Sequence, residues 1–222
     1  MQRTDRTVEE YRRFEKDYSL RADFTRMADL PVMSIDWYRG ATHCNWLSEQ
    51  EGIATEQWCY EIMGNEIKLK ANYPSLGGYR LPTEAEMEYA TRSGASTSRY
   101  YGEMDDLLPK YAWFIKDSDE KTWPVGSLKP NEFGLFDALG NVFTWCQEPS
   151  VGYPQGDAIS EDAEAALEVL TTAGRQLRGG SFLYRASPVR SASRLSNVPA
   201  NRKFIYGVRP ARTFPIAPPL AP

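Results

Sequence analysis

An α+β fold is predicted by three features of this 222-residue sequence: helical apolar spacing that gives two principal helices, several short stretches alternating in the strand period, and 16 glycines and 15 prolines that break the rest into turns and loops. One elaborate domain suits the length, since a typical domain takes roughly 150 residues and no linker-like run interrupts the middle. We expect that domain over residues 1–214, with an acidic, alanine-rich surface insertion at 150–173 and a disordered Pro-rich tail, "PIAPPLAP", at 215–222.

The elements follow in order. "TVEEYRRFEKDY", 7–18, puts Val8, Tyr11 and Phe14 on one face of a helix capped by Thr7. "LPVMSIDWYRGATHCNWLSEQEG" predicts a short extended piece, an Asp36 cap, and a helix turning Ala41, Cys44, Trp46 and Leu47 to the core until Gly52 ends it. "CYEIMGNEIKLK" alternates on both sides of Gly64-Asn65, a hairpin signal. In "RLPTEAEMEYATRSG" Pro82 closes what precedes, Thr83 caps, and Glu86 completes a capping box. Ala85, Glu86, Met87, Tyr89 and Ala90 then wrap much of this helix, so it is expected to be largely buried.

Tyr100 to Ser118 is rich in Tyr and Trp and reads as irregular. Turn signals at Pro124, Gly126, Pro130-Asn131, Gly134 and Gly140-Asn141 precede a strand over Val142 to Cys146. "ISEDAEAALEVLTTAG" belongs to the insertion, helical or mobile. "RQLRGGSF" is a strand broken at Gly179-Gly180, where a backbone or a ligand approaches closely, and "KFIYGVRPARTF" predicts a last strand.

Composition is that of a globular protein, with 41% hydrophobic and 25% charged residues. No apolar run reaches the 18 or so residues of a membrane span, and "MQRTDRTVEEYRR" has no signal-peptide core, so a cytoplasmic setting is the expectation. Cys44, Cys59 and Cys146 are odd in number, lack CxxC spacing, and read as reduced core thiols. The net charge of −4 conceals an asymmetry. Glu168 is the last acidic residue, and the remaining segment carries nine Arg or Lys side chains. These either pair with the acidic body or line a site for an anionic or aromatic partner. No basic stripe interleaved with aromatics runs along the chain, which argues against nucleic acid. Phosphate-loop, GxSxG and HExxH patterns are absent.

Four motifs in sequence, "GYRLPTEAEMEYATRSG", "NEFGLFDALGNVFTWCQE", "LRGGSF" and "YGVRPARTF", resemble the formylglycine-generating enzyme (sulfatase-modifying factor) family over roughly Thr7 to Phe214. The resemblance implies a variant of the C-type lectin fold. It also implies an opening strand with a Phe-x-Met-Gly signal, which this sequence lacks, so that either the domain is trimmed or another segment or subunit takes the strand's place.

The family's chemistry does not carry over. Its copper is held by two cysteines a few residues beyond the glycine pair, thiolates suiting Cu(I) because both are soft. Here the corresponding stretch, Leu183 to Arg194, has no cysteine. Ser181 and Trp145 match a serine and an aromatic near the family's active site, and neither can hold copper. The related iron-dependent sulfoxide synthases use three histidines, whereas His43 stands alone and reads as a packed or surface residue. The family's calcium motif keeps Asn141 as a candidate ligand but has Thr144 where a Glu supplies the hard anionic oxygen; Asp137 nearby reads as a turn cap. Copper is therefore not expected, and calcium rests on Asn141.

The function expected is a non-catalytic module binding a protein or small-molecule ligand, with no membrane partner. Contact is expected at Tyr184, Arg185, Ser187, Arg190, Ser193, Arg194, Ser196, Asn197, Asn201, Lys203 and Tyr206, which together have the composition of adaptable recognition surfaces. Retroelement-diversified variable proteins resemble the same family, lack its catalytic cysteines, and carry their variable stretch between motifs like "RGGSF" and "YGVR". Domains of this kind also resemble sensor or scaffold modules attached to bacterial kinases or proteases. The alternative is an oxidoreductase acting on a cysteine or thiol, which would require Cys44, Cys59 and Cys146 to converge.

Overall fold

The computed structural model describes residues 1–19, 27–64, 66–152, 169 and 172–214. The expected insertion and tail lie largely or wholly outside them.

Thr7 caps α1 (Val8–Arg12) through a reciprocal box with Glu10, yet the helix is five residues long rather than reaching residue 18. The chain leaves it through turns that still deliver Tyr11, Phe14 and Tyr18 to one aromatic cluster, where Tyr11 meets Phe14 and Tyr18 edge-on. Apolar spacing alone therefore overstated the helix. Asp36 caps α2 (Trp37–Gln50), its Oδ1 accepting from the Arg39 amide at 2.7 Å. Gly52 follows the helix with φ of 68°. Ala41, Cys44 and Leu47 are buried as expected, but Trp46 is only half-buried, with His43 fully enclosed in its place.

β1 (Tyr60–Met63) and β2 (Glu66–Leu69) form the expected antiparallel hairpin. After β3 (Tyr79–Arg80), the Thr83–Glu86 capping box starts α3 (Glu84–Arg92): the Glu86 amide donates to Thr83 Oγ1 at 3.0 Å and the Thr83 amide to Glu86 Oε2 at 2.8 Å. Glu86 also takes a fork from Arg80 at 2.6 and 2.7 Å, tying strand to helix. This helix is less buried than its pattern suggested. Met87, Ala90 and Thr91 face inward, while Ala85 and Tyr89 are exposed, Tyr89 by 68%.

The main sheet has the order β6-β5-β4-β7, with β4 Phe143–Pro149, β5 Arg175–Arg178, β6 Leu195–Asn197 and β7 Tyr206–Gly207. β4 pairs antiparallel with β5 and parallel with β7. The expected single last strand is divided: β7 joins the main sheet, and β8 (Ala211–Arg212) pairs with β3. Trp37 and Trp145 anchor the core between α2 and the main sheet, donating their indole N–H to the Cys146 and Ile35 carbonyls at 2.9 and 2.7 Å.

Residues 2–6 run beside Val208–Pro210, the Gln2 amide donating to the Pro210 carbonyl and the Arg6 amide to Val208. Asp5 and Arg209, both buried, meet at 3.0 Å within this contact. Burial of the carboxylate is costly and raises its pKa; the guanidinium opposes that shift and is itself held by bonds to the Gln2, Arg3 and Phe136 carbonyls.

Candidate functional site

The loops of residues 183–206 rest on the sheet because the end of β5 is built to turn. Gly179 and Gly180 adopt φ of 95° and 84°, and the close neighbour is backbone: the Gly140 amide donates to the Gly179 carbonyl at 2.8 Å. A Cβ at Gly140 would stand 2.4 Å from the Trp113 carbonyl oxygen. The Phe182 amide then donates to the Asn141 carbonyl, and the Ile115 amide to that of Tyr184. Arg99, itself buried, clamps the next turn by donating to the Ala186 and Val189 carbonyls, each at 2.9 Å. Farther on, Asn197 donates to Tyr206 Oη at 2.8 Å and accepts from Asn201 at 2.9 Å. The segment is therefore pinned from beneath by hydrogen bonds.

Apart from Arg175, which is buried and donates to the Gln147 carbonyl at 2.6 Å, the cations that follow Glu168 divide into two groups. Arg178 pairs with Glu88 and Glu84, Arg194 forks onto Glu84 at 2.5 and 2.6 Å, Arg202 lies 3.8 Å from Asp36, Arg209 meets Asp5, and Arg212 meets Glu51 at 2.5 Å. Five of the nine cations are thus matched by the acidic body. Arg185, Arg190 and Lys203 are exposed and make no ion pair among the described residues.

The other expected contact residues separate similarly. Ser187 and Ser196 are exposed; Tyr184, Ser193 and Asn201 are half-buried, with Tyr184 set edge-on to Phe143 at 4.9 Å. Arg194 and Asn197 are occupied in the contacts above. Tyr206 corrects the expectation of a surface residue: it is fully buried, its ring 5.2 Å from that of Trp145. The period-2 pattern of "KFIYG" could not separate Phe204 from Tyr206, which are two positions apart: Phe204 lies before β7 and is 47% exposed, whereas Tyr206 opens the strand against the core. Val198, 41% exposed, also joins the surface, a residue that composition gave no reason to choose.

Trp145 and Ser181, matched to the family's active site, are both fully enclosed, and Ser181 Oγ has no partner among the described residues. The residues present do not fit copper. Leu183 to Arg194 offers no thiol, all three cysteines are buried, and burial pushes each thiol pKa up, that of Cys59 to about 11. Nor is a calcium donor set assembled about Asn141: its Oδ1 accepts from the Trp123 amide and its Nδ2 donates to the Trp123 carbonyl. Asp137, expected to cap the Ala138-Leu139-Gly140 turn, instead accepts from the Gly126 amide at 2.7 Å, and Thr144 faces Asp5. Among the described residues, no cluster of three or more His, Cys, Asp or Glu could hold a metal, and no helix is long and apolar enough to cross a membrane.

Comparison with known proteins places these features in context. The family described as sulfatase-modifying factor enzyme 1-like domain matches residues 4–214. The formylglycine-generating enzyme of Streptomyces coelicolor is 35% identical over 156 residues, covering 62% of this chain and 48% of that protein. The serine/threonine-protein kinase pkn1 of Chlamydia pneumoniae is 28% identical over 184 residues, 83% of this chain and 24% of the kinase. The chain thus spans about half the length of the first relative and a quarter of the second. Among solved structures, Treponema denticola variable protein 1 superposes with a TM-score of 0.76 at 27% identity, covering 94% of this chain and 82% of that one.

Proposed function

Because the chain belongs to the sulfatase-modifying factor enzyme 1-like family, and its glycine-pair loop carries no thiol, we propose that it is a non-catalytic member that binds a ligand on residues 183–206. One observation carries the reading: five cations of the C-terminal segment are neutralised internally, whereas Arg185, Arg190 and Lys203 stand exposed, as do Ser187, Ser196 and Phe204 of the same segment. Fixed loops bearing forked donors, small hydroxyls and an exposed aromatic suit a protein ligand with carboxylates. Similarity to the Treponema variable protein supports the finer reading of a retroelement-diversified surface. An adjacent near-copy of this coding stretch, differing at adenines only, would test it.

The experiment is surface plasmon resonance against immobilised acidic peptides, with neutral peptides as controls, for wild type and the R185A/R190A/K203A variant. Exposed pairs contribute about 0.2–1 kcal/mol each, so the triple change is expected to weaken acidic-peptide binding about threefold to about 150-fold and to flatten its salt dependence. Equal binding by wild type and variant would overturn the proposal.

The formylglycine-generating relatives favour a second reading, oxidation of a protein thiol. It would need Cys44, Cys59 or Cys146 to become accessible; a thiol-oxidation assay with and without added copper tests it.

A further inference from the structure

A second recessed surface shares no residue with the segment above. It is an open groove of about 450 Å³ walled by Phe14, Trp46, Trp58 and Ile62, with Asn45 and Glu49 among its polar residues. Both tryptophans are half-buried. Trp58 is fixed by its indole N–H to the Ile53 carbonyl at 2.8 Å, and Trp46 is backed by His43, stacked at 5.5 Å. The lining contains no Lys, Arg or His. Its polar character is that of an acceptor: Asn45, 5% exposed, donates its Nδ2 to the Tyr60 carbonyl and leaves Oδ1 without a partner. Glu49 is exposed and makes no ion pair among the described residues.

Aromatic faces, an unmatched amide oxygen and an unpaired carboxylate share one electrostatic preference, for a cation that donates N–H bonds. His43 reinforces it, because burial keeps the imidazole behind Trp46 neutral. The adjoining hairpin exposes Ile62 and Met63, by 39% and 57%. That apolar flank matches a polypeptide rather than an isolated amine.

We propose that this groove binds an arginine or lysine side chain of a partner polypeptide, held between Trp46 and Trp58 with Glu49 at its charged end. The two tryptophans supply cation–π attraction and Ile62 covers the flanking residues of the partner. The site is independent of the surface at 183–206.

The test is NMR titration of the tryptophan indole N–H signals with a capped peptide bearing one arginine between leucines. Its lysine and citrulline counterparts, arginine amide, and a neutral glucose oligomer serve as the other arms. The arginine and lysine peptides are expected to shift the Trp46 and Trp58 signals saturably with Kd near 1 mM. Trp46→Ala should weaken this at least tenfold, and Glu49→Gln about two- to fivefold, an exposed change that leaves the fold intact. R185A/R190A/K203A should leave it unchanged, separating this site from the other. Equal affinity for the citrulline peptide would refute the cationic preference. Equal affinity for arginine amide would refute the polypeptide partner. Binding of the oligosaccharide alone, or no shift up to about ten times the expected Kd, would overturn the proposal.

Discussion

Lowering the pH from 7.5 to 5.5 should destabilise this fold through its single histidine by a calculable amount. His43 is fully buried among Tyr11, Phe14 and Trp46, at 5.0, 5.2 and 5.5 Å between ring centroids. Neither ring nitrogen has a partner among the described residues. Burial, and then the positive charge of Arg6, holds its pKa down at about 3. In the unfolded chain the imidazole titrates near 6.5. Between these values the unfolded state binds a proton that the folded state refuses, so stability falls as pH falls. Integrated from pH 7.5 to 5.5, the loss is about 1.4 kcal/mol from this group alone. Asp5 acts in the opposite direction over the same interval, because its burial raises the folded carboxyl pKa. The measurement must therefore be a difference: urea unfolding of wild type and His43→Phe at both pH values. Phenylalanine removes two unmatched buried nitrogens and should stabilise the protein by about 1–3 kcal/mol at pH 7.5. That margin should widen by about 1.4 kcal/mol at pH 5.5. Parallel pH dependences for the two proteins would refute the buried neutral imidazole. The same conclusion would follow if the one histidine resonance titrated near 6.5.

Three other substitutions test the architecture. Asp5→Ala leaves the Arg209 guanidinium buried without its partner and should cost about 3–5 kcal/mol in urea unfolding, with faster hydrogen exchange at the Gln2 and Arg6 amides. Glu84→Ala removes the carboxylate shared by Arg194 and Arg178; a loss of about 2–3 kcal/mol is expected for charge-assisted bonds of this kind, read in the same assay. Gly140→Ala places a Cβ against the Trp113 carbonyl at a φ of 79° and should lower stability by at least about 2 kcal/mol; an unchanged unfolding midpoint would contradict the close approach.

Legibility varied with the range of the interactions involved. The box at Thr83–Glu86 spans three residues, so its letters alone specified the start of α3, and the hairpin at 60–69 was equally local. The length of α1 was not, because its continuation is overruled by distant partners: Tyr18 leaves the helical course to place its hydroxyl on the Met33 carbonyl at 2.8 Å. Exposure of Tyr89 and Trp46 likewise depends on what does not cover them, which composition cannot state. At the candidate site the residue types were readable but their division was not. Arg194 and Arg190 are four positions apart, and only the position of Glu84, 110 residues away in sequence, separates an internal ion pair from an exposed charge.

The pairing of Asp5 with Arg209 across 204 positions has a consequence for synthesis. During translation the first residues wait, with a carboxylate whose partner does not yet exist, until nearly the whole segment has left the ribosome. The parallel partner of β4 arrives equally late, with Tyr206 and Gly207. Closure of the core is therefore a late, non-local event that pays its loop entropy almost in full before any contact repays it. An incomplete chain exposes the edge of β4 and the apolar residues beneath β7, the sort of surface that chaperones hold.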